Sequence, residues 1–294
     1  MAISRNLYST QFLTLQLSEN GGTVVSGLPV QTASIERTVP TEDVLVLGKL
    51  GSMGRQQKEV ETVKMDIKLF WASGERDNTT ATTIKDALGT RLTAAHLNTL
   101  TGNALQGTRS IVSLNPNGFT GYGIMTKFGI DAGAGDFLTA SLTFEGFGTP
   151  LISSAVNSSA AESTYAPASV FVYTSENVSL AGASDETIKS AKFSIDIPSE
   201  RLSKLGAPVT GLQTNGTLTG AHLLVAKPPF KVNVSYDGSL VTGAHALDAI
   251  TFGHLTITPV SANITSQSYN QNAGDVGAAM SFASEGTSCT FAGG

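Results

Sequence analysis

PTEDVLVLG, residues 40–48, is written again as PSERLSKLG, residues 198–206, in a chain of 294 residues. Pro, Glu, Leu and Gly coincide, Thr41 faces Ser199 as a conservative match, and no gap is needed. Two more landmarks follow in the same order. KMDIKLFW (64–71) pairs with PFKVNVSY (229–236) at an offset of 165. Met65, Ile67, Leu69 and Trp71 stand against Phe230, Val232, Val234 and Tyr236, with Asp66, Lys68 and Phe70 opposite Lys231, Asn233 and Ser235 between them. Such strict alternation reads as a strand with one wet and one dry face. GDFLTASLTFEG (135–146) then answers GDVGAAMSFASEG (274–286), with Leu142 and Phe144 against Met280 and Phe282. Three matches in collinear order predict an internal duplication, with residues 1–149 and 167–294 as two copies of one fold. Residues 150–166, rich in Ser and Ala and without periodicity, read as the linker.

Each copy carries the same expected elements. A first strand (Val30–Val39; Ile188–Ile197) leads into the Pro-Thr/Ser-Glu loop, which ends near Lys58 and near Leu224. The second strand follows, and Trp71 and Tyr236 end it on the dry face, which predicts that both rings are buried. In the first copy Ile84, Leu88, Leu92 and Ala95 form one apolar stripe and predict a helix over Thr82–Leu100. In the second copy only Gly243–Ile250 fills that place, as a shorter helix. Two closing strands complete each unit: Tyr122–Asp131 with Phe137–Gly146, and His254–Ile264 with Val276–Glu285. The turns DAGAGD and NQNAGD supply the positive φ of tight hairpins. The fold class is mainly β with a flanking helix (α+β).

Composition narrows the function. Charged residues are 14% of the chain and the net charge is −5, without a Lys/Arg cluster, so the footprint of a nucleic-acid binder is missing. MAISRNLYSTQF lacks the apolar core of a signal peptide, and no apolar run approaches the ~20 residues of a membrane span, so folding in a cytoplasm is expected. The one cysteine, Cys289, excludes an internal disulfide framework. His96, His222, His245 and His254 show no metal spacing, and His96 reads as a surface or capping residue. There is no G-x-S-x-G elbow, and GKLGSMGRQQK misses the phosphate-loop spacing. Glu145 and Glu285 read as matching strand ends of two copies rather than as an acid–base pair. Six Asn-x-Ser/Thr sequons are what a Ser/Thr-rich chain gives by chance. The expectation is a non-enzymatic protein without cofactor or metal.

A long hairpin, a helix, and a second hairpin ending in a Gly-Asp turn and FLTASLTFEGFG (137–148) resemble the major tail tube proteins of long-tailed bacteriophages. The resemblance covers both copies loosely, and the ending of the first copy is its most specific part. It implies a β-sandwich unit whose inner strands enter a shared barrel lining a channel, six units closing a ring, and rings stacking into a tube. Two fused units per chain then make a ring of three chains, each supplying eight strands, and closure removes the sheet edges. The repeated loop becomes the stacking element: Pro40, Glu42, Asp43 and Leu47 in the first copy, Pro198, Glu200, Arg201 and Leu205 in the second. The wet face would line the channel with Ser34, Glu36, Lys64, Asp66 and Lys68, and with Lys192, Ser194, Asp196, Lys231 and Asn233. Family lumens tend to be acidic, and this set is mixed in sign. The implied partners are further copies of the chain, the tape-measure, tail terminator and baseplate proteins, and double-stranded DNA that passes without specific binding. The implied location is the virion tail, assembled in the host bacterial cytoplasm.

Three other classes are weighed. A distal tail or baseplate hub protein shares the fold unit but is expected to carry an appended module. A β-rich adhesin or surface-layer subunit needs an export signal. A β-sandwich enzyme needs clustered carboxylates and aromatic platforms, which one Trp and scattered acids do not supply.

Overall fold

Alternating apolar and polar residues along most of the chain produce strands, and a computed structural model shows the protein to be mainly β. It describes residues 12–19, 21–45, 47, 50–57, 60–71, 92–115, 118–133, 136–148, 151–152, 178–180, 188–203, 222–239, 249–270 and 279–293. In the first part of the chain lie β1 (Phe12–Gln16), β2 (Val24–Thr38), β3 (Thr41–Leu45), β4 (Ser52–Gln57), β5 (Thr62–Phe70) and α1 (Ala94–Gln106). They are followed by β6 (Ser110–Asn115), β7 (Phe119–Gly133), β8 (Thr139–Phe147) and β9 (Leu151–Ile152). The second part holds β10 (Val178–Leu180), β11 (Ile188–Asp196), β12 (Ser199–Ser203), β13 (His222–Ala226) and β14 (Lys231–Ser239). It ends with β15 (Ile250–Phe252), β16 (Leu255–Val260), β17 (Asn263–Asn270), β18 (Ala279–Gly286) and β19 (Ser288–Ala292).

One 11-stranded sheet joins the two parts. Its pairings run from β7 through β6, β1, β2, β5 and β8 and return to β7, a closed circuit of six strands. From β7 the sheet also continues outward through β11, β14, β18 and β17. Eight successive antiparallel neighbours therefore read β2–β5–β8–β7–β11–β14–β18–β17. The second four repeat the chain order of the first four. The separate sheet β10–β15–β16–β19 likewise pairs in the order of β1–β6–β7–β9.

Irregularities repeat with the pairing. The β2–β5 ladder is bulged at Gln31, between Val30 and Thr32, and the β11–β14 ladder at Lys189, between Ile188 and Ser190. The β7–β8 ladder is bulged at Thr126 and the β17–β18 ladder at Thr265. Both bulge threonines donate their hydroxyl across the ladder, Thr126 to the Thr143 carbonyl (3.4 Å) and Thr265 to the Ala283 carbonyl (3.2 Å). A bulge fixes register where a period of two cannot.

The bulges correct three expectations. They set Lys68 against Asp237 rather than Asn233, so the match of KMDIKLFW to PFKVNVSY is four residues out of step. Four is even, so every side chain keeps its face. Trp71 and Tyr236 are both buried, at 2% and 3% exposure, but are not equivalent: Tyr236 lies inside β14 and Trp71 just past β5. The second closing pair is β17 with β18; His254–Ile264 instead spans β16 and the start of β17, separated at Ser261, whose φ is 54°. Leu151–Ile152, expected in the linker, pair with β7, and residues 153–166 lie outside the described residues.

The helix is corrected too. It begins at Ala94 because extended Thr93 caps it: its hydroxyl accepts the His96 amide (3.4 Å), and its own amide donates to His96 Nδ1 (3.2 Å), so the imidazole takes the place a glutamate usually fills. It ends at Gly107, left-handed at φ 69°, where an added Cβ would lie 2.9 Å from both Leu223 and Val225. The buried stripe is Ala94, Leu97, Leu100 and Ala104; Ala95 is exposed, and Leu92 is buried ahead of the cap. Ile84 and Leu88 lie outside the described residues, as do residues 243–248 of the helix expected over Gly243–Ile250, whose last residue, Ile250, instead begins β15.

The helix packs against β7, β13 and β19 and so binds both parts of the chain. Asn103 Nδ2 donates to the Leu17 carbonyl (2.7 Å) and Asn98 Nδ2 to the Phe291 carbonyl (3.0 Å). Beneath it Phe128, Phe193 and Phe291 pack with ring centroids 5.9–6.2 Å apart. Trp71 closes this core: it stacks on His254 at 4.9 Å and donates Nε1–H to the Phe252 carbonyl at 3.1 Å.

Candidate assembly interface

The registers place all ten expected channel residues on one face of the eight-stranded run. One row crosses it as Ser34, Asp66, Thr143, Lys127, Asp196 and Lys231. The next runs through Lys68, Ser141, Gly129, Ser194, Asn233 and Glu285, and Glu36 meets Lys64 and Glu145 beside the first row. Lys192 lies between Asp131 and Ser235. The alternation of FLTASLTFEG could have supplied Ser141, Thr143 and Glu145. Lys127, Asp131 and Asp237 needed the strand order itself.

Charges on this face are interleaved. Lys64 sits 3.0 Å from Asp66, Lys127 2.9 Å from Asp196 and Lys192 3.5 Å from Asp131. The Asp66 hydrogen bond, and then its charge, raise the Lys64 ammonium above its ordinary value. The paired positions of this face hold seven carboxylates and five lysines, with exposed Lys189 at the β11 bulge beside them, so it is mixed and slightly acidic.

The two repeated segments, expected as loops, instead form the first strands of β-hairpin arms, β3 in one and β12 in the other. At the foot of the first, Arg37 forms a bidentate pair with Glu61, one arm of it 2.7 Å long. That hydrogen bond holds the guanidinium above its ordinary value against the lowering effect of burial. β3 pairs with β4 and is exposed at all five positions. Asp43 pairs with Arg55 at 2.9 Å, Glu42 is exposed and Pro40 half-buried. Leu45 is 75% exposed, and Leu47 and Leu50 wholly so. The second arm, β12–β13, lies instead against the first part of the chain. Arg201 sits over the Phe147 ring at 4.8 Å, and the Ser199 hydroxyl is 3.5 Å from the Glu145 carboxylate. Glu200 pairs with Lys227 at 3.4 Å, and the carbonyl of half-buried Pro198 accepts the Lys227 amide. Leu205 lies outside the described residues.

Sequence reasoning did not single out the two ends of the sheet. Among the described residues β17 pairs only with β18, and residues 30–38 of β2 pair only with β5. All eight residues of β17, NITSQSYN, are exposed, and none is charged or Pro. Soluble proteins usually blunt an edge with lysine, proline or a covering element. Among the described residues this edge has none of these. Among the described residues no group of three or more His, Cys, Asp or Glu is placed to hold a metal ion.

No protein-family model and no curated protein sequence matches the chain.

Proposed function

We propose that this protein is the structural subunit of a phage tail tube, built from two fused copies of one tube fold. One observation carries the reading. The strands β11–β14–β18–β17 follow β2–β5–β8–β7 in one sheet with the same order and the same bulges, and among the described residues nothing pairs with either outer edge. An element that repeats by joining its last strand to its first is a head-to-tail contact. Such contacts close into rings when the rotation permits. Three chains would place six fold units around a channel, with the polar face inward and the helix layer outward.

The net acidic face would repel DNA phosphates, and the ion pairs of Lys64, Lys127 and Lys192 would leave those three cations less free for them to grip. The role is passive: conduct DNA during ejection, and enclose a tape-measure protein during assembly. No reaction is catalysed. The first arm, with Leu45, Leu47 and Leu50 in solvent, is the element that would reach the next ring. Tail terminator and baseplate proteins would meet the ends of the tube, in the tail of the virion.

Negative-stain microscopy of the purified full chain tests this. The expected result is uniform hollow tubes with a constant bore. Rings that never stack would turn the assignment to a distal tail or baseplate hub component, and particles of single-chain size would contradict it.

A further inference from the structure

We infer that β17 of one copy pairs with β2 of the next in the register of the internal β7–β11 junction, with the Thr265 bulge setting that register. The inference rests on the tube reading above and adds which atoms meet. Within the chain, Asp196 lies opposite Lys127, Ser194 opposite Gly129 and Lys192 opposite Asp131. The Ile197 amide donates to the carbonyl of the bulge residue Thr126 at 2.8 Å. The matching bulges place Thr265 where Thr126 stands and Gln31 where Lys189 stands.

Carried across, Thr38 falls opposite Ser266, Glu36 opposite Ser268 and Ser34 opposite Asn270. The Val39 amide then meets the Thr265 carbonyl. Wet residues face wet residues throughout. On the other face Ile35 comes opposite Tyr269, and this pair has apolar surface left for the contact to bury. Tyr269 is 56% exposed in the single chain, whereas Ile130, its counterpart at the internal junction, is fully buried. The feet of the arms follow the same rule. As Ser199 meets Glu145 within the chain, Thr41 comes to Glu285 of the next copy. Thr41 and Ser199 are the second residues of the two repeated loops.

Residues on one edge of a strand alternate between bonded and non-bonded positions. Ile197 is bonded to β7, so Ser194, three residues away, is at a non-bonded position, and so are Glu36 and Ser268 across the interface. Cα atoms at such a pair stand about 4.5 Å apart, within the roughly 4.4–6.8 Å that a disulfide spans. A neighbour two residues along is about 7–8 Å away and out of reach.

The test uses the full chain with Cys289→Ser, which removes a thiol that burial pushes up to about 12. Glu36→Cys with Ser268→Cys, and separately Ser34→Cys with Asn270→Cys, are assembled, checked by microscopy and oxidised. Both pairs should give covalent species ending at three chains on a non-reducing gel. Thr38→Cys with Ser268→Cys, one step out of register, should give about tenfold less. Assembled rings that cross-link best in the out-of-register pair would overturn the register and leave the tube reading standing. A parent chain that stays monomeric, with no cross-link in any pair, would overturn both.

Discussion

Trp71→Ala should lower the melting temperature of the unassembled subunit by at least about 10 °C. The indole is buried at 2% exposure, stacked on His254 with an interplanar angle of 4°, and 6.3 Å from the Phe128 ring. Truncating a buried aromatic costs about 3–5 kcal/mol. Leaving the buried Phe252 carbonyl without its donor adds about 1–3 kcal/mol. For a chain of this size each kcal/mol moves the midpoint by about 2–4 °C. Trp71→Phe keeps the ring and loses only the donor, so it should fall between alanine and the parent. Calorimetry reads both variants. Trp71 belongs to the first part of the chain and its acceptor to the second, so the parent should melt in one transition. A midpoint unchanged by Trp71→Ala would mean that the side chain sits in solvent, and that the packing of the two parts is wrong.

Gln267→Pro should abolish ring formation and leave the isolated subunit folded. Backbone groups of a strand point alternately to its two sides. By equivalence with the internal junction, Gln267 of β17 points its amide outward, away from β18, and Ser268 points inward. Proline is tolerated at an edge position whose amide faces solvent and is disruptive where the amide bonds a neighbour. Gln267→Pro therefore spares the β17–β18 ladder and removes a donor needed by the next copy. Ser268→Pro is the control, and it should unfold the edge of the subunit itself. Sedimentation velocity separates assembled from single chains, and far-ultraviolet circular dichroism reports the fold. Gln267→Pro chains that assemble like the parent would show that β17 is not the joining edge.

The sequence carried the wet and dry faces, because alternation in KMDIKLFW and PFKVNVSY survives any even slip. It did not carry register. The four-residue error between those segments was invisible without the bulges at Gln31 and Lys189, and a bulge leaves no mark in a period-two pattern. The start of α1 was missed because the stripe of Ile84, Leu88, Leu92 and Ala95 runs through Thr93, where the backbone is extended and caps the helix at Ala94. The second closing strand was misplaced because Ser261, at positive φ, separates β16 from β17 where β7 runs on unbroken. Nothing in NITSQSYN marks an assembly edge by composition alone. Its significance comes from its place at the end of the sheet, with no covering element among the described residues.

The mass of a single ring, obtained by native mass spectrometry of gently dissociated assemblies, tests the central claim most directly. A head-to-tail union of two-unit chains predicts rings of three chains, each chain 30.4 kDa. Rings of six chains would mean that one unit per chain enters the barrel, and that β11–β14–β18–β17 does not repeat the role of β2–β5–β8–β7.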